Sequence, residues 1–209
     1  MSRLAVGSYG FAALLLAIVL AVAVTSDTDP SRFTRDPAVL LDASPTLGLV
    51  SYVGILLWTA AAAIALFAAA LLRKRGAARE QWTFLGAAGL LTSWLMLDDL
   101  FLFHEWLFPV VLGVRQRLLF AGYLLVMAAF LVRFRRIILR TSPLLLAMPL
   151  GLFAISVAFD LLPEAWFRSG YVYLWEDAAK LLGIAGWFAY WANASARLVD
   201  QPRPPAATF

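Results

Sequence analysis

Apolar runs alternate with short polar segments along the whole chain. The runs cover residues 4–24, 47–72, 81–107, 117–132, 143–162 and 173–198. Most approach or exceed the roughly 20 residues a helix needs to cross a bilayer core about 30 Å thick. None shows the two-residue alternation of a half-buried strand. The pattern predicts an all-α, polytopic membrane helix bundle of six transmembrane helices. Between the first two runs, residues 25–46 are polar and broken by Pro30, Pro37 and Pro45, which predicts a loop on one side of the membrane. The segment 38–41 is a short apolar piece within it. After residue 199 the segment 200–209 holds three prolines and predicts a disordered tail, leaving 1–199 as a single membrane domain. The first run ends in Ala21-Val22-Ala23, a small-residue pattern of the kind signal peptidase cuts. Its length is that of a span rather than of the 7–15-residue core of a signal peptide, so an uncleaved first helix is expected.

Composition agrees with the pattern. The chain is 63% hydrophobic and 14% charged, with a mean hydropathy of +0.82. A soluble domain carries about 25% charged residues. Cysteine is absent, which excludes disulfides, thiolate metal sites, iron–sulfur clusters and thiol nucleophiles. A single histidine, His104, excludes a three-histidine zinc site and bis-histidine haem within one chain. Two glycine–alanine patches, Gly86 to Gly89 and Gly183 to Gly186, follow no strand, so neither reads as a nucleotide-binding loop; both predict close helix packing. Trp58, Trp94, Trp187 and Trp191 read as packing residues.

Charge fixes the expected orientation. With both termini inside, the inner segments carry eleven bases, among them Arg73, Lys74, Arg75, Arg133, Arg135, Arg136 and Arg140, against two acids, Glu80 and Asp200. The outer half carries the remaining six bases and eleven acids. Basic residues concentrate on cytoplasmic loops. Both termini are therefore expected in the cytoplasm, in the inner (plasma) membrane of a bacterial cell. The basic balance belongs to these loops and to anionic lipid, not to nucleic acid.

The most unusual stretch is Asp98-Asp99-Leu100-Phe101-Leu102-Phe103-His104-Glu105. An ionisable group inside a membrane helix costs about 2.5–3.5 kcal/mol on insertion scales, so a stretch that accepts several implies partners at the same depth. At about 1.5 Å per residue, Asp98, Arg117, Asp160 and Lys180 all fall about 24–28 Å from the inner ends of their helices. Asp99, Glu176 and Asp177 lie in or just above that layer, and Arg115, Glu105, His104 and Glu164 lie higher. Glu176 and Lys180 are four apart, the favourable order for an ion pair on one helix. Asp98 and His104 are six apart, about 120° around a straight helix. Either His104 serves another partner, or the helix unwinds before Pro109.

Acids outnumber bases in this layer, and a buried carboxylate left unpaired holds a proton or a cation. Asp98, Asp99, Asp160, Glu176 and Asp177 are thus candidate ligands for Mg²⁺, Mn²⁺ or Ca²⁺, hard ions that prefer oxygen. His104, Glu105 and Asp98 are candidate catalytic residues, with His104 as general base. Lys180, Arg117, Arg115 and Glu164 complete a charge network. Three functions fit: a divalent-cation-dependent hydrolase of a lipid or amphiphile at the outer leaflet, a cation- or proton-binding transport module, and a structural or assembly subunit whose charges are interhelical salt bridges. Haem and nucleotide are not expected.

The stretch around His104, together with Glu176-Asp177-Ala178-Ala179-Lys180-Leu181-Leu182-Gly183, resembles a pattern in uncharacterised bacterial multi-pass membrane proteins. That resemblance covers most of the helical part and implies a membrane fold, without an activity. There is a remoter likeness to the alkaline-ceramidase and adiponectin-receptor membrane hydrolases, which also carry acids and a histidine at outer helix ends. Their late H-x-x-x-H pair is missing here, so their zinc chemistry is not implied.

Overall fold

A computed structural model of the protein describes residues 3–160 and 171–201. The chain divides into two compact units, Met1–Leu49 and Val50–Phe209. The first contains α1 (Arg3–Thr25), apolar along most of its length, and two single turns, α2 (Ser31–Thr34) and α3 (Pro37–Leu40). The turn α3 forms because Asp36 accepts a hydrogen bond from the Ala38 N–H at 2.8 Å while Pro37 occupies the first helical position. It coincides with the apolar piece expected in the loop.

The second unit is a bundle of α4 (Leu49–Lys74), α5 (Arg79–Leu100), a π-helix (Phe103–Val111), α6 (Gln116–Arg140), α7 (Pro143–Asp160) and α8 (Tyr171–Val199). Every described element is helical, as the apolar runs predict. Among the described residues three helices are long and apolar enough to cross a membrane: α1 from Ala5, α4 and α6. A fourth candidate is α5 joined to the π-helix, bent by 68° at their junction. The apolar part of α7 is shorter, and α8 is diluted by Asn193, its tryptophans and tyrosines, and its charged first turns.

Two boundaries differ from expectation. α6 runs on through Arg133, Arg135 and Arg136 to Arg140 instead of ending at residue 132. Arginine is a good helix former, and no breaker occurs before Pro143. The third predicted helix stops at Leu100 rather than near residue 107, for a reason that bears on the site. Helix α7 passes through Pro149 without interruption.

The core of the bundle is aromatic. Trp187, Tyr190 and Trp191 of α8 and Phe84 of α5 are fully buried, and Phe84 packs on Phe130 and Phe134 of α6 with ring centres 5.4–5.8 Å apart. Trp187 donates to the Thr92 hydroxyl at 3.0 Å. Small residues let the helices approach. Ala61, Ala65 and Ala68 make a buried face on α4, and a Cβ on Gly89 would lie 2.5 Å from the Leu66 side chain. A Cβ on Gly183 would lie 2.7 Å from the Phe153 ring, and one on Gly186 would touch Pro149. Both glycine patches thus serve packing. Because an aromatic ring cannot swing aside as an aliphatic tip can, Gly183→Ala should destabilise the bundle by roughly 1–3 kcal/mol through overpacking. Reversible unfolding in mixed micelles would measure this, with Gly151→Ala, where a Cβ meets nothing within 4 Å, as the neutral control.

Candidate functional site

The site is built by a break in a helix. After Leu100, α5 ends, and Leu102 adopts the left-handed conformation with φ 53° and ψ 43°. Positive φ in a non-glycine residue is uncommon and marks a forced turn. The chain then re-enters as the π-helix, whose wide turns are seen in the hydrogen bond from Leu107 N–H to Leu102 C=O at 3.2 Å. Helices of this type are rare and concentrate at functional sites. Pro109 lies inside it, seven residues beyond the break.

The break brings Asp98 and His104 together. Asp98 Oδ1 accepts the backbone N–H of His104 at 3.1 Å, so the carboxylate caps the start of the π-helix as an N-cap side chain would. Asp98 Oδ2 lies 2.6 Å from His104 Nδ1. From α6, the Tyr123 hydroxyl donates to Asp98 Oδ1 at 2.7 Å. One carboxylate therefore meets three groups, and both Asp98 and His104 are buried. Three such partners suit an ionised acceptor, which places a proton on Nδ1. The other ring nitrogen, Nε2, lies 3.4 Å from Glu105 Oε1. Glu105 is half-exposed, with 52% of its side chain accessible, so the array leads from buried Asp98 through His104 to an accessible carboxylate. The Phe120 ring, 5.6 Å from the imidazole, completes the pocket.

Asp99 turns the other way. Adjacent helical residues do not share a face, and its buried carboxylate forms an ion pair with Lys180 of α8. Asp99, Asp177 and Lys180 line a hollow of about 10 Å³ with Val50, Ser51 and Gly54, roughly the room for one water. The charges described around the break thus gather in two groups, Asp98–His104–Glu105–Tyr123 and Asp99–Lys180 with Asp177 beside it, and the Lys180 ammonium also acts on Glu105 through space. Glu176 lies one turn before Lys180 on α8. Arg115 and Arg117, at the start of α6, are exposed and have no described carboxylate within 4 Å. The side chain of Asp160, Glu164 and the tail beyond Gln201 lie outside the described residues. Among the described residues no three acids or histidines converge in a way that could hold a metal ion. The geometry explains this within the first network: the imidazole stands between its two carboxylates instead of joining them around one point.

Tyr123 is absent from the residues expected at the site. The only signal for it was a hydroxyl inside an otherwise apolar run. Its helix passes beside the break, and burial of the phenol leaves its O–H in need of an acceptor.

Residues 9–194 match the family described as a domain of unknown function, DUF8692. The chain belongs to that family. No curated protein and no solved structure matches it. The match reaches from α1 into the last turns of α8 and so includes both charge networks. It is consistent with the resemblance to uncharacterised proteins and adds no activity to it.

Proposed function

We propose that the protein is a six-span integral protein of the inner membrane, with both termini inside, that binds and exchanges a proton at the outer side through His104. The observation that carries this reading is the linear array at the broken helix. A buried carboxylate orients the imidazole through Nδ1, and an accessible carboxylate waits at Nε2. Imidazole is the one side chain whose ordinary titration range spans pH 5–8. Ionisable groups at a discontinuity in a membrane helix are the usual substance of proton and ion sites. Asp98, braced by the Tyr123 hydroxyl, holds the ring, and Glu105 passes the proton to the outer aqueous phase.

The single histidine makes the test direct. In protein carrying isotope-labelled histidine and reconstituted into vesicles with its outer side exposed, one imidazole signal should respond to external pH. Glu105→Gln should slow its proton exchange while leaving the bundle intact. A ring whose signal stays fixed at every external pH at which the bundle remains folded would refute the reading.

The divalent-cation hydrolase draws on the remaining acids, Asp99, Glu176, Asp177 and Asp160. It faces a competitor, because the Lys180 ammonium already supplies Asp99 with the positive charge that a cation would bring. Stabilisation of the melting transition by Mg²⁺, Mn²⁺ or Ca²⁺, abolished in Asp99→Asn, would favour it. The Asp99–Lys180 pair itself is best read as an interhelical strut.

Orientation has its own test. With no native cysteine, single cysteines report cleanly. A cysteine at Thr28 should react with an impermeant reagent applied outside, and one at Ala77 should be protected until the membrane is opened. The opposite pattern would invert the topology and put the proton site on the inner side.

A further inference from the structure

At the end of the bundle away from His104, the start of α5 and the ends of α6 and α8 enclose a hollow of about 330 Å³. It is lined by Arg136 and Arg140 of α6, Arg197 of α8, and Glu80 and Gln81 of α5, with Gln201 beside them. We propose that this hollow binds a phosphate-bearing anion, in the membrane the headgroup of an anionic phospholipid.

Three neighbouring arginines are held by the fold itself. Arg73 lies over the Trp82 ring at 5.3 Å, Arg133 lies over Phe134 at 4.9 Å, and Arg75 donates to the Val199 carbonyl at 3.3 Å. Each has a structural partner. Arg136 and Arg140 have no hydrogen-bond, ion-pair or ring partner among the described residues. They are four apart on one face of α6, where like charges repel unless an anion lies between them. Arg197 approaches from α8 and is held in place by its bond to the Thr141 carbonyl at 3.0 Å. The Gln81 amide donates to Gln201 at 2.6 Å and ties α5 to the segment after α8. Three guanidinium groups face one acid, Glu80, which lies more than 4 Å from each of them. Guanidinium forks match phosphate oxygens two at a time. The site also lies where a headgroup would be, since α6 is one of the helices able to cross a membrane and Arg140 is its last residue.

The test uses the full-length protein in nonionic detergent at low ionic strength, followed by thermal melting. It is titrated with short-chain phosphatidylglycerol, with phosphatidylcholine, and separately with inorganic phosphate. Phosphatidylglycerol should raise the melting temperature and phosphatidylcholine should not. Each arginine at the hollow should contribute about fivefold in apparent affinity, so R136Q/R140Q should weaken binding about 25-fold. Glu80→Gln should tighten it, a gain that misfolding cannot imitate. R133Q/R135Q should bind as wild type. If inorganic phosphate stabilises equally, and R136Q/R140Q removes that effect, the site stands and its occupant is a soluble phosphate. An equal loss in R133Q/R135Q would reduce the effect to diffuse attraction by a basic surface and overturn the proposal. So would the absence of any stabilisation by either anion.

Discussion

Asp98→Ala should destabilise the protein by roughly 3–5 kcal/mol, the largest single-residue effect expected in this chain. The change removes the only described acceptor shared by three groups: the His104 N–H, the His104 ring and the Tyr123 hydroxyl. A buried donor left without a partner costs about 1–3 kcal/mol, and water can relieve only part of this at a residue as buried as His104. Two companion variants apportion the loss. Tyr123→Phe removes one donor and leaves the carboxylate with two, so it should cost about 1 kcal/mol. Asp98→Asn keeps one acceptor oxygen and should fall between them. Chemical unfolding of the four proteins in mixed micelles gives the order. If Asp98→Ala is no worse than Tyr123→Phe, then Asp98 does not hold the broken helix together, and the proposed proton array loses its anchor.

The second large effect belongs to Lys180. Lys180→Met should leave the buried Asp99 carboxylate without its ammonium, beside Asp177, and cost roughly 3–5 kcal/mol, nearer the lower figure because 31% of the lysine side chain remains accessible. Asp99→Asn added to that background should recover much of the loss, since the two residues act as a unit. Glu176→Gln in the same background is the contrast. Four-residue spacing makes Glu176 the obvious partner on paper, and the lysine also reaches across to Asp99 of α5. A double-mutant cycle that shows strong coupling for Lys180 with Glu176 and none with Asp99 would contradict the observed pairing.

The contrast shows where the sequence was readable. Long apolar runs marked six helical segments, because length and hydropathy are properties of one segment and need no knowledge of its neighbours. The same holds for the packing role of Gly89, Gly183 and Gly186. The unusual stretch from Asp98 to Glu105 was also visible, since a membrane segment does not carry ionisable groups without partners. Partner choice was not visible. Asp98 and Asp99 are chemically alike, and only the three-dimensional placement of α6 and α8 gives one to His104 and Tyr123 and the other to Lys180. The helix break was half visible: a 120° separation on a straight helix made unwinding one of two alternatives, and the structure adopts it. Its position at Leu102 had no local signal. Leucine is a strong helix former, and Pro109 points to a stop seven residues too late. The forced turn is compensated at a distance, by the carboxylate that caps the segment it creates.

The aromatic core has a consequence for the direction of traffic. Phe84 is fourteen residues before Asp98 on α5, about 21 Å along the helix axis. Around it, Phe130, Phe134, Trp187 and Trp191 form an aromatic layer, and among the described residues the core at that level holds no carboxylate or imidazole. A proton on His104 would find that layer an electrical insulator. The proposed site would then equilibrate with one compartment only, and its charge would report the acidity of that compartment without dissipating the gradient across the membrane. Such a protein is a gauge rather than a conduit. Opening it to the other side would require breaching the rings, and not merely changing the acids.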